Sequence, residues 1–342
     1  MREIFEQLMR HDTVSARPNM QLMHWIKARL EDAGITVTLI PDAEGQKANL
    51  YATVGPEGQG GVMLSGHTDV VPVEGQAWTK PPFALTEEAG RYYGRGAADM
   101  KGFCALAIDA MLKAAKRPLK VPLHLALSYD EEIGCMGVRS LVAMLEKAPV
   151  KPRFCIVGEP TNMQVATGHK GKIALRATCI GREGHSALAP LALNALHLAA
   201  DFMGEVRALQ AQVAAEGPFD GDYDVAYSTI HVGKMQGGVQ VNIVPNTATL
   251  DFEIRSLAEH DPETLILSLR AAADRITAPL KAAFPEAEIR VERLWDYPGL
   301  GTPSDAQVVN FVKSLTGANG TIKVAFGTEG GLFSQRLGIP TV

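Results

Sequence analysis

The chain has 342 residues, 21% charged and 46% hydrophobic, an ordinary globular composition at a length beyond the roughly 250 to 300 residues where single cores stop growing, so two domains are expected. A net charge of -5 and a pI of about 6.0 give no basic face for nucleic acid or an anionic membrane, which leaves small molecules as the expected partners. Cys104, Cys135, Cys155 and Cys179 are scattered without a CxxC pair; with no signal-peptide core and no apolar run near the roughly 18 residues of a membrane span, a cytoplasmic enzyme is expected.

In chain order, MREIFEQLMRHDTVS (1–15) reads as an amphipathic helix. Strands are predicted at ANLYATV (48–54), GVMLSGH (61–67), LHLALSY (123–129) and RFCIVGE (153–159), with helices from Met100 and from Gly137 between them. Apolar runs alternating with helical periodicity predict an α/β domain with a mainly parallel central sheet and helices on both faces. From about Lys172 the order changes to strand IALRATCIG, a long helix over 191–215, strands VAYSTIHVG and TATLDFEIR, a helix over 262–283 and strand AEIRVERLW. That β-α-β-β-α-β order predicts an inserted ferredoxin-like domain. After the turn at 298–301 the α/β pattern resumes with a helix over 304–315, a strand near IKVAF, a helix at GLFSQRLG and a strand beginning at IPTV. The expected division is 1–171 and 297–342 for the first domain and 172–296 for the second.

Chemistry-bearing residues fall at the carboxyl ends of predicted strands, the edge where open α/β sheets build sites. His67 closes the second strand, with Asp69 two residues on in GHTDVVP; residues i and i+2 of an extended chain point the same way, so a carboxylate can orient the imidazole. Asp99 precedes a helix in GRGAADMKG, Glu131 and Glu132 follow the third strand in DEEIGCMG, and Glu159 ends the fourth in GEPT. Three adjacent carboxylates, Asp130, Glu131 and Glu132, directly after an apolar strand need a cation, a helix start or solvent to offset the cost of crowding and burial. One histidine with several carboxylates suits zinc, cobalt or manganese, and a pair of divalent ions would neutralise the accumulated charge. His11, His24, His124, His197, His231 and His260 are read as structural, and His169 is not expected to ligate.

These motifs, together with GREGHSALAP (181–190), resemble in identity and order those of the M20-type dinuclear zinc hydrolases, which include acetylornithine deacetylases, succinyl-diaminopimelate desuccinylases, aminoacylases and glutamate carboxypeptidases. The resemblance covers the whole chain. It implies two Zn2+ per subunit, replaceable by Co2+, with His67 and Glu159 on one ion, Glu132 on the other and Asp99 bridging. It further implies Glu131 as general base, Asp69 behind His67, and the inserted domain as a lid through which a homodimer forms. His185 then looks like a lid histidine that crosses to the partner's site to stabilise an oxyanion. Asn242 in VQVNIVPN and Arg255 in FEIRS are similar to substrate-carboxylate contacts.

In the desuccinylases, an arginine-containing stretch holds a carboxylate-rich substrate. The matching GTEGGLF (327–333) carries Glu329 and no arginine, which points to a substrate with a positive side chain. The expected reaction is therefore hydrolysis of an N-acyl amino acid, N2-acetyl-L-ornithine, to L-ornithine and acetate in arginine biosynthesis. The rivals are a desuccinylase, an aminoacylase or dipeptidase, and a non-catalytic metal-binding scaffold. The resemblance also implies a Gly-Pro-Gly loop and a further histidine ligand after IPTV, so the chain ending at Val342 is expected to be a fragment of a longer protein.

Overall fold

The computed structural model describes Met1–Val342 and divides into two compact units. The first comprises Met1–Gly168, Leu300–Ile322 and Thr328–Val342; the second comprises His169–Gly299 and Lys323–Gly327.

The first unit is built on a five-stranded sheet of β1 (Thr36–Pro41), β2 (Ala48–Val54), β3 (Val62–His67), β4 (Leu123–Ser128) and β5 (Phe154–Val157), in the order β1-β2-β4-β3-β5. β3 pairs in parallel with both β4 and β5, whereas β1–β2 and β2–β4 are antiparallel. The sheet is thus mixed, because the link from β1 to β2 is too short for a crossover and closes as a hairpin. Asp42 shapes that turn, its Oδ1 accepting from the backbone N–H groups of Gln46 and Lys47.

Helices α1 (Arg2–Arg10), α2 (Met20–Glu31) and α3 (Lys101–Ala114) pack Phe5, Leu8, Leu22, Ile26, Ile108 and Met111 with Leu50 and Leu125 of the sheet in one buried cluster. α4 (Val138–Glu146) buries Val138, Leu141, Val142 and Leu145. β4 is buried along nearly its whole length, the mark of a strand covered on both faces.

The second unit holds β6 (Gly171–Ile180), β7 (Thr229–Gly237), β8 (Thr247–Ser256) and β9 (Glu288–Tyr297), all antiparallel, in the order β7-β8-β6-β9. Burial alternates strictly along β6, as in a sheet with one covered face. α5 (Ala195–Glu216) and α6 (Pro262–Thr277) supply the cover, with Phe202, Leu250, Ile254 and Leu269 in the core. This is the expected β-α-β-β-α-β sandwich.

Helix ends follow local chemistry. α5 starts at Ala195 because the Asn194 side chain accepts from Leu196 N at 2.9 Å, a standard N-cap. α6 stops at Thr277, short of the predicted end, since Pro279 removes a donor and crowds the preceding turn.

Two further helices, α7 (Gln307–Thr316) and α8 (Gly330–Leu337), belong to the first unit. The IPTV segment lies beside β5: Cys155 N donates to Pro340 O at 3.0 Å and Val157 N to Val342 O at 2.9 Å. No helix is long and apolar enough to cross a membrane.

Candidate metal centre

The parallel pairing assembles the site. His67 lies opposite Ser128 and Ser65 opposite Val157, so the segments leaving β3, β4 and β5 emerge at one sheet edge. Glu131, Glu132 and Glu159 come two to four residues past the last paired strand positions, and Asp99 comes just before α3. The ligand-capable atoms of His67, Glu131 and Glu159 lie within 4.8 Å of one another, and so do those of His67, Asp99 and Glu132. The His67 imidazole is common to both groups.

Its ring nitrogens face different neighbours. Nδ1 is 2.9 Å from the Asp69 backbone carbonyl oxygen and 3.6 Å from the Asp69 carboxylate. Nδ1–H donating to that carbonyl leaves the Nε2 lone pair facing Asp99 Oδ1 at 3.0 Å and Glu159 Oε1 at 3.7 Å. Acceptors facing acceptors require a proton or a cation between them. The expected orienting role of the Asp69 carboxylate is thus filled first by its own backbone carbonyl.

The Asp69 carboxylate has other work. It accepts from Ser15 Oγ at 2.7 Å, Glu131 N at 3.1 Å and Glu132 N at 3.3 Å, so it anchors the backbone that carries the paired glutamates. Burial would raise its pKa, but the contacts with His67, Ser15 and Glu131 N–H hold it below the ordinary value. Burial likewise opposes protonation of His67, and Asp69 and Asp99, with Glu159, overcome it and carry the imidazole well above its usual pKa.

The glutamates move the other way. Burial lifts Glu131 well above the carboxylate range, with Glu159 and Glu329 adding and His67 opposing. Glu159 is pushed up to about 7, again by burial first, with Asp99 and Glu329 adding. Glu132 is raised by burial, with Asp99 and Asp69 adding. Such crowding of protonatable acids around one imidazole is what a bound cation reverses. The donor set, imidazole nitrogen and carboxylate oxygen without thiolate, fits a divalent transition ion.

Asp130 does not join this group. Its Oδ2 accepts from Lys47 Nζ at 2.5 Å and its Oδ1 from Ala16 N at 3.1 Å. The three adjacent acids are therefore resolved in two ways, an ion pair for Asp130 and convergence on His67 for the other two.

Glu329 sits in the same unit at the start of α8, 1% exposed, with Oε2 3.4 Å from Ser65 Oγ. The substrate contact expected of Glu329 would need this buried carboxylate to become accessible. In the second unit, His185 is exposed, its Nδ1 accepting from Ala187 N at 3.2 Å. It pairs with Ile243 across a two-residue ladder, and Ser186 N donates to Asn242 O at 3.0 Å, so His185 and Asn242 are neighbours. Arg255 is engaged by Glu253 at 2.9 Å and by the Tyr297 hydroxyl at 3.0 Å. His169 bonds back to Lys170 O at 3.0 Å. Lys47 carries no local motif, so the sequence offers nothing to single it out; Ser15 lies in HDTVSARPNM (11–20), a stretch similar to that of acetylornithine deacetylases, with no role of its own to be read there.

Peptidase family M20/M25/M40 matches residues 63–342 of the chain. An acetylornithine deacetylase of Myxococcus xanthus is 36% identical over 334 residues, covering 96% of this chain and 84% of that protein. One from Proteus mirabilis (strain HI4320) is 32% identical, covering 92% and 81%. Among solved structures, an M20 family metallo-carboxypeptidase from Sulfolobus solfataricus has a TM-score of 0.77 at 20% identity, covering 98% of this chain and 89% of that one. A dinuclear metal-binding M20 peptidase from Bacillus subtilis has a TM-score of 0.68 at 16% identity, covering 99% and 85%. The sheet-edge motifs sit inside the matched span, and two relatives exceed 30% identity over nine-tenths of the sequence: the chain belongs to peptidase family M20/M25/M40.

Proposed function

We propose that this amide-bond hydrolase acts on a small N-acyl amino acid, N2-acetyl-L-ornithine, releasing L-ornithine and acetate in arginine biosynthesis in the cytoplasm. The observation that carries the reading is the convergence of Asp99, Glu131, Glu132 and Glu159 on the His67 imidazole. The substrate itself is supported by the relatives named acetylornithine deacetylase.

His67, Asp99, Glu132 and Glu159 would hold two divalent ions, zinc with cobalt as a substitute, with Asp99 between them. When bound, such ions polarise the amide carbonyl and ease loss of a proton from water. Glu131 takes that proton as the water oxygen bonds to the acetyl carbon. It then returns the proton to the nitrogen as the C–N bond breaks, leaving acetate and the free amine. A carboxyl group lifted by burial suits this exchange, because its affinity for the proton approaches that of the groups it serves. Asp69 keeps His67 in place through its backbone carbonyl, and the Glu131–Glu132 backbone through its carboxylate.

The reading extends to a homodimer through the second unit, in which His185 serves as oxyanion donor to the partner's site and Asn242 and Arg255 contact the substrate carboxylate. The pairing of His185 with Ile243, next to Asn242, whose carbonyl oxygen accepts from Ser186 N, supports it.

The test is hydrolysis by the zinc- or cobalt-loaded protein of N2-acetyl-L-ornithine against N-succinyl-diaminopimelate. Acetylornithine is expected to be the better substrate, and a preference for the succinyl compound would replace it. Glu131→Gln is expected to lower kcat by about 100- to 10,000-fold while zinc content, measured by atomic absorption, stays near that of the parent. Unchanged turnover in that variant removes the base from Glu131.

A further inference from the structure

The turn that delivers Glu131 and Glu132 is held by residues outside the sheet-edge motifs. Asp130 has φ +53° and Ala16 has φ +73°, both in the left-handed region that residues with a Cβ adopt at a cost. The two residues bond to each other, Ala16 N donating to Asp130 Oδ1 at 3.1 Å. The loop carrying Ala16 is tied to the strand-end segment after His67: Ser15 N donates to Val70 O at 3.0 Å, and Val70 N to Thr13 O at 3.1 Å. The charge that balances Asp130 comes from Lys47, whose ammonium is 2.5 Å from Oδ2 and 5.6 Å from the centre of the Tyr129 ring. Lys47 and Asp130 are each 9% exposed.

The geometry points to Lys47 as a positioning residue of the metal centre, acting through Asp130 on the orientation of Glu131 and Glu132. A carboxylate this buried and left without its cation is strongly destabilised. It reaches water by releasing Ala16 N and relaxing the left-handed turn. The next residues in the chain are Glu131 and Glu132, whose N–H groups must stay within reach of the Asp69 carboxylate. Loss of Lys47 therefore turns the paired glutamates away from His67, although Lys47 itself touches neither metal ligand nor substrate. This rests on the proposed reading that these glutamates serve a metal pair.

The experiment compares the full chain with Lys47→Met, Lys47→Arg and Asp130→Ala. Zinc affinity of the metal-free proteins is measured by competition with a chromophoric chelator, and the visible spectrum is recorded after Co2+ loading. Lys47→Met is expected to weaken zinc binding by about 10- to 100-fold, the scale on which supporting residues act. It is also expected to alter the Co2+ bands and to lower kcat more than it raises KM. Lys47→Arg restores most of the affinity. Asp130→Ala removes both the acceptor for Ala16 N and the charge for Lys47, which frees the turn to relax, so it reproduces the loss and stands in if Lys47→Met fails to fold. Parental zinc affinity and an unchanged Co2+ spectrum in the folded variants overturn the proposal. Absence of deacetylation by the parent protein would overturn the proposed activity instead, and the affinity comparison would still decide the role of Lys47.

Discussion

Glu329 is a buried carboxylate whose Oε1 has no hydrogen-bond partner, a costly arrangement unless positive charge lies nearby. Burial raises its pKa to about 7. In the metal-free protein the folded state therefore keeps a proton that the unfolded chain releases above its ordinary carboxylate range. Stability contributed at this position is present at low pH, falls as pH rises from about 4.5 to about 7, and stays low above that. Glu329→Gln is expected to raise metal-free stability at pH 8 by about 1 to 3 kcal/mol and to change it little at pH 4.5. With zinc present the sign reverses, because the substitution removes a negative charge that favours bound cations. Urea unfolding at the two pH values, with chelator and with zinc, checks both halves; a pH-independent difference would show that this carboxylate binds its proton equally well folded and unfolded.

At the level of elements, the approach of β5 to α3 fixes where Glu159 emerges. A Cβ added at Gly158 would lie 2.1 Å from the Phe103 ring, so Gly158→Ala is expected to cost about 1 to 3 kcal/mol by overpacking and to weaken zinc binding. Gly204 in α5 meets nothing within 4 Å of such a Cβ. Gly204→Ala should therefore stabilise by about 0.5 to 1 kcal/mol and leave zinc binding unchanged, which makes the pair an internal control in thermal melts. The elements legible in the sequence are those whose burial is decisive. β2, β3, β4 and β5 are apolar runs, and the histidine that ends β3 and the acids that follow β3, β4 and β5 mark the proposed site's edge without any coordinates. β1 is less legible, because it is an edge strand whose side chains are exposed or half-buried, and α2 begins without a side-chain cap. The mixed pairing of the sheet also depends on β2 lying antiparallel to β4, a pairing between segments far apart in the sequence, with Leu50 opposite Leu127. Lys47 and Ser15 are illegible for a stronger reason: they meet Asp130 and Asp69 across 83 and 54 residues of sequence, and no local pattern encodes a contact at that range. Glu329 is legible as an acid in the right segment, while its burial is not.

At the scale of the whole molecule, the second unit carries large apolar side chains in water around the His185–Ile243 ladder: Leu188 is 57% exposed, Leu191 71%, Val239 82% and Val241 101%. Single exposed apolar residues are ordinary, but a group gathered on neighbouring segments marks a contact surface. An exposed apolar patch is what a two-fold dimer can bury, each copy presenting the same residues to the other. The proposed homodimer is thus expected to depend on this surface. Leu191→Asp combined with Val241→Asp places charges where the contact would exclude water. It should convert a dimeric parent to monomers in light scattering coupled to size-exclusion chromatography, with the far-UV circular dichroism unchanged because neither side chain enters the core of its own unit. Zinc binding, proposed for residues of the first unit alone, should survive, whereas deacetylation should fall together with the dimer if His185 serves the partner's site. Monomers that retain full turnover would confine catalysis to a single copy and take the oxyanion role from His185, and a parent that is already monomeric at micromolar concentration would remove the dimer itself.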